Sequence, residues 1–176
     1  MDQQRLRPAR VQSGHYVLEK TDEYCEELGV PSRGELHVHM NGAIPTSEIR
    51  KILLDEETIL PEGFEPEKDL IRLTSCQSLA EYLTPWQALR LFPKRRENLD
   101  RITYAVFAGL AANNVRFVEL RSSVLYLSAL QNCSPAQALE RLIESVGKAA
   151  KYHGISCGLI LTVTRGITVQ LTCSLF

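Results

Sequence analysis

Three short apolar runs constrain this chain most. They are "ELHVHM" near residue 35, "VRFVELR" near 115 and "ISCGLILTVT" near 155. The segments between them are too long for hairpins and carry helical patterning, so the runs cannot pair as simple antiparallel neighbours. Strands separated by helices pair in parallel through right-handed crossovers. The expected fold class is α/β. Only three strands are evident, whereas an eight-stranded α/β barrel typically needs about 250 residues. The 176-residue chain therefore fits a small open sheet or the first part of a larger barrel.

The connecting helices have readable boundaries. In "SPAQALERLIESVGKAAKYHG", Ser134 is a natural N-cap, Pro135 suits the first helical position, Gln137 completes a capping box and Gly154 suits the left-handed C′ position. Leu139, Leu142, Ile143, Val146 and Ala150 are the expected buried stripe. Residues 97–113 place Leu99, Ile102, Val106 and Leu110 on one helical face. Thr46 is the expected cap of a helix through "SEIRKILLDEE". Pro85 divides a helical region over 77–92, and Pro61, Gly63 and Pro66 mark residues 61–75 as a surface loop. A first helix is expected over 16–28, behind an exposed N-terminal arm. The domain expectation is an arm and helix over 1–33, a barrel portion over 34–165 and an atypical, uncharged tail over 166–176.

Composition excludes several classes. Lys plus Arg number 20 and Asp plus Glu 21, so no basic excess points to nucleic acid or an anionic membrane. No apolar run is long enough to cross a bilayer, and "MDQQRLRPAR" lacks the apolar core of a secretory signal. The five cysteines are odd in number and form no CxxC pair, which argues against a disulfide framework or a cysteine zinc cage and favours a reducing cytoplasm.

Half of the four histidines lie in one strand. Side chains alternate along a strand, so His37 and His39 share a face while Leu36, Val38 and Met40 take the other. Both imidazoles can then reach one metal ion. A catalytic zinc uses about three protein ligands and an open position, so the pair supplies part of a site. Asn41-Gly42 follows at once and places the pair at the carboxyl end of the strand, where α/β folds bind ligands. Of the other histidines, His15 precedes the barrel portion and His153 suits a helix C-terminus. Glu119 is expected to pair with Arg121 or another buried partner.

"GELHVHMNGAI" resembles the opening motif of the adenosine deaminase family, whose first barrel strand reads ELHxHL(D/N)G. "NNVRFVELRSS" and "HGISCGLILTVTR" are similar to its second and third strands. The likeness spans Gly34 to Arg165. It implies the N-terminal portion of a (β/α)8 barrel and a zinc-dependent hydrolase acting on a purine nucleoside or nucleotide. It gives His37 and His39 the places of two zinc ligands. It makes Asn41 a substrate-binding residue, where nucleoside deaminases carry a ribose-contacting Asp. Asn there is similar to the adenosine deaminase-like branch that accepts N6-substituted AMP, and a neutral amide repels a 5′-phosphate less than a carboxylate does.

The same resemblance implies a third zinc histidine, a catalytic glutamate, a further histidine and a late aspartate on strands after the third. None stands here, so no catalytic residue is assigned, and the chain is expected to be a truncated or frame-disrupted member, inactive alone. "SLAEYLTPWQALRLF" matches the family's lid segment, which would bring Tyr82, Leu83, Trp86 and Phe92 to the pocket or, equally, to an ordinary core. Two other readings stay open: a phosphoesterase of the PHP type, which also opens with HxH, and a non-catalytic fragment. The oligomeric state is not legible.

Overall fold

The computed structural model describes residues 32–71 and 75–163. Except for Ser32, these lie in the second of the chain's two compact units, Arg33–Phe176. The expected helix over 16–28, His15 and the tail over 166–176 fall outside the described residues.

A three-stranded parallel sheet runs in the order β1 (Arg33–His39), β2 (Val115–Ser122), β3 (Ser156–Leu161). Between β1 and β2 come a 3-10 turn (Asn41–Ala43), α1 (Thr46–Asp55), α2 (Pro66–Asp69), α3 (Leu79–Tyr82), α4 (Trp86–Leu89) and α5 (Arg96–Ala112). Between β2 and β3 come α6 (Val124–Leu130) and α7 (Pro135–His153). Among the described residues, no helix is long and apolar enough to cross a membrane.

α7 begins as its sequence requires. The Gln137 amide N–H donates to Ser134 Oγ at 3.2 Å, and Gln137 Oε1 accepts from the Ser134 N–H at 3.0 Å. Gly154 closes the helix at φ 65°, the left-handed conformation that glycine adopts without Cβ strain. The buried face is rotated from the expected stripe. Ala138, Leu142, Ser145, Val146, Ala149 and Ala150 are buried, whereas Ile143 is 55% exposed. The 138–142–145–149 spacing follows the helical repeat, and small alanines let α7 lie close to its neighbours, leaving Ile143 beyond the seam.

α5 packs on β2 and against α7. Leu99, Ile102, Val106 and Phe107 enter the core, and the Thr103 and Ser145 hydroxyls meet at 2.7 Å inside the helix–helix contact. On the surface, Arg96 and Lys148 both reach Glu144 at 2.7 Å. The Lys148 ammonium, then the Arg96 guanidinium, hold the Glu144 carboxyl down at about 2.

Three details differ from expectation. Thr46 is the first residue of α1 rather than its cap; Pro45 holds the cap position without a side-chain bond. The 61–75 loop contains the single turn α2, opened by Pro66. α6 follows β2 directly, where no helix is anticipated.

The entry to α5 is held by a buried carboxylate. Glu56, 8% exposed, accepts from the Lys94 N–H at 2.8 Å, the Arg95 N–H at 3.0 Å and Asn98 Nδ2 at 2.9 Å. These donors satisfy the charge in place of water, and the two N–H groups lie just before the helix N-terminus, where negative charge is favoured.

Candidate active site

The carboxyl ends of the strands are aligned by backbone bonds. The Met40 N–H donates to the Arg121 carbonyl and the Thr162 N–H to the Ser122 carbonyl, both at 2.9 Å. Past these ends opens a cavity of about 640 Å³ bordered by His39, Asn41, Arg121 and residues of α4 and α6.

His37 and His39 share a face, as the strand alternation requires, while Met40, just past the strand, is buried and also borders the cavity. Their Nε2 atoms are 3.3 Å apart, and the rings are tilted by 41° with centroids 5.3 Å apart. Two imidazoles bound tetrahedrally at about 2.0–2.1 Å each hold their nitrogens about 3.3 Å apart. The 3.3 Å spacing fits two ligands of one zinc ion and equally fits a hydrogen bond between the two imidazoles. Among the described residues, no group of three or more His, Cys, Asp or Glu is placed to hold a metal. The donor set fits half of a zinc site.

The register brings Arg121 opposite His39. Burial first, then the charges of His37 and Arg121, lower the His39 pKa and favour its neutral, metal-competent form. The Trp86 ring meets the His39 ring edge-on at 88°, centroids 6.4 Å apart.

Asn41 borders the cavity, and its Nδ2 donates to the Leu89 carbonyl at 3.1 Å, tying the end of β1 to α4. Tyr82, Leu83, Trp86 and Phe92, expected at the pocket or in an ordinary core, all border the cavity; Phe92 is also fully buried, so it serves core and wall at once. Pro85 separates α3 from α4, as the sequence indicates.

Sequence reasoning missed Arg90, Ser123 and Tyr126, which also border the cavity, and the role of Arg121 there. Arg121 reaches the cavity through the β1–β2 register, which local alternation does not fix. The others depend on where α4 and α6 pack. Among the described residues, neither Glu119 nor Arg121 forms an ion pair, contrary to the expected pairing; Arg121 Nε is buried without a partner, and Glu119 lies beside Gly158 of β3. No carboxylate borders the cavity among the described residues. His153 is remote, its ring set between Tyr104 and Tyr152 at centroid distances of 4.7 and 4.9 Å.

Parallel strands under helices, with paired histidines at a strand's carboxyl end, make an α/β fold of the kind that binds ligands past its strand ends. Comparison with known proteins narrows the class. The adenosine deaminase family profile matches residues 32–174, and the chain belongs to the adenosine deaminase family. Adenosine deaminase from Clostridium botulinum (strain 657 / Type Ba4) is 30% identical over 139 residues, which cover 77% of this chain and 41% of that protein. The chain thus spans about two fifths of the curated relatives it matches.

Among solved structures, adenine deaminase from Arthrobacter aurescens aligns with a TM-score of 0.63 at 17% identity, covering 79% of this chain and 42% of that one. A Zn-bound amidohydrolase from Burkhoderia ambifaria aligns at 0.62 and 21%, covering 89% and 41%. N6-methyl-AMP deaminase from Arabidopsis thaliana aligns at 0.60 and 23%, covering 79% and 42%. The fold is the first, three-stranded portion of this barrel.

Proposed function

We propose that the chain carries the opening part of a zinc-dependent site for hydrolytic deamination of an adenine nucleoside or nucleotide, adenosine or an N6-modified AMP. The observation that carries this reading is the 3.3 Å histidine pair at the carboxyl end of β1, in a chain of the adenosine deaminase family.

His37 and His39 would hold the zinc. When bound, zinc supplies the Lewis acidity that makes a water nucleophilic near neutral pH. The chain's own contributions are otherwise positional. Arg121 favours neutral His39. Trp86, Tyr82 and Phe92 give an apolar wall suited to a purine face and to excluding bulk water. The cavity border has two arginines, Arg90 and Arg121, and a neutral amide at Asn41, with no acidic residue among those described. That balance supports a phosphate-bearing purine over a bare nucleoside. Names of the structural neighbours agree: one is an N6-methyl-AMP deaminase, and related Arabidopsis structures hold GMP and IMP. Family membership favours this reading over a PHP-type phosphoesterase. The free thiols of Cys76, Cys133 and Cys157 support a reducing, cytoplasmic setting.

In this reading the site is incomplete, because a third metal ligand and a general acid are not among the described residues. The test has two readouts on the purified chain. Zinc retained after dialysis is expected to fall sharply in the His37→Ala/His39→Ala double variant; equal retention overturns the assignment. Neither ammonia from adenosine nor methylamine from N6-methyl-AMP is expected; steady turnover overturns the incomplete site.

A further inference from the structure

The cavity wall is tied down at one end. α4 is a single turn, and its last carbonyls have no following helical turn to donate to them. Two side chains from elsewhere in the fold fill that role. Asn41, just past β1, donates through Nδ2 to the Leu89 carbonyl at 3.1 Å. Tyr126, on α6 just past β2, donates its hydroxyl to the Arg90 carbonyl. A carbonyl accepts only, so each partner must bring a hydrogen. Asn41 has an N–H to give; an ionised aspartate there has none and would face Leu89 oxygen to oxygen. Burial pushes the Tyr126 phenol above its ordinary range, which keeps its proton available.

We propose that Asn41 and Tyr126 form a two-point clamp that positions the Trp86–Phe92 wall over the strand ends, making both positioning residues. The asparagine is then set by the Leu89 carbonyl as well as by any ligand. The clamp joins the turn after β1 and helix α6 after β2 to the same short helix, so the wall's place is coupled to the strand that bears the histidines and to its neighbour. The inference concerns the site of the proposed deaminase, and rests on that reading only for what the wall closes over.

Trp86 is the chain's sole tryptophan and stands on the clamped helix. Its fluorescence therefore reads the wall directly in the full 176-residue chain. Acrylamide quenching of Trp86 is to be compared in Asn41→Asp, Tyr126→Phe, their combination, and the control Tyr82→Phe, a cavity-border residue outside the clamp. The clamp requires the quenching constant to rise at least about twofold in each clamp variant and further in the double, with far-UV circular dichroism retained and Tyr82→Phe unchanged. Unchanged quenching in folded Asn41→Asp and Tyr126→Phe overturns it, as does an equal rise in Tyr82→Phe. Should Asn41→Asp fail to fold, Tyr126→Phe, which loses one oxygen, decides alone. Zinc retention reports the proposed function and quenching reports the clamp, so either can fail without the other.

Discussion

His39 couples to its surroundings through burial, the neighbouring imidazole and the Arg121 guanidinium, all of which lower its pKa. A base whose folded pKa lies below its unfolded value destabilises the fold as pH drops. The unfolded chain takes up the proton first, near the ordinary histidine value, and stability falls until the folded form also protonates. Replacing Arg121 by Gln should raise the His39 pKa, which an NMR titration of the imidazole measures. His37→Ala and His39→Ala should each weaken zinc binding by at least about tenfold, measured by competition with a chromophoric chelator. Burial pushes the Cys157 thiol up to about 11. Its alkylation at pH 8 should therefore be slow in the folded chain and speed up in urea, where the thiol regains its ordinary acidity; mass spectrometry of the labelled peptide gives the rate. The histidine pair was legible because strand alternation and a polar turn are both local. Arg121's position opposite His39 was not, since register between strands 80-odd residues apart is decided by packing.

The helices differ in how much of their structure is written locally. α7 carries its own start and stop, and Ser134→Ala should cost about 1 kcal/mol in urea unfolding. The Glu56 carboxylate acts between elements: it ends α1 and gathers the donors that begin α5. Glu56→Gln turns part of an acceptor into a donor facing donors, and should cost about 1–3 kcal/mol by the same measurement. No sequence pattern announces that role, because Glu56 and Asn98 are brought together only by the fold. α6 escaped notice for another reason. Ser123 holds its cap position but makes no side-chain cap bond, and the seven-residue "VLYLSAL" is too short to show a helical period, so the serines read as the end of the strand. Ile143 misleads in the opposite sense: apolar and near the stripe, it lies past the seam that the small alanines define.

At the scale of the molecule, β1 is an edge strand among the described residues. Nearly all its residues are exposed, and Leu36 is 62% so. Exposed edges recruit other strands, so the purified chain should sediment as more than a monomer, and Leu36→Lys should shift it towards one in analytical ultracentrifugation. Strand order equals chain order, but the two pairings enclose different lengths. Joining Arg33 to Val115 closes roughly twice the chain that joining Phe117 to Ser156 does, and each doubling adds about 0.6 kcal/mol of closure entropy. As the polypeptide leaves the ribosome, β1 emerges first and must wait for a distant partner, while β2 and β3 have theirs close behind. The strand bearing both histidines is thus the one whose docking comes dearest in entropy, and the histidine pair takes its place beside Arg121 only once the longer of the two loops has closed.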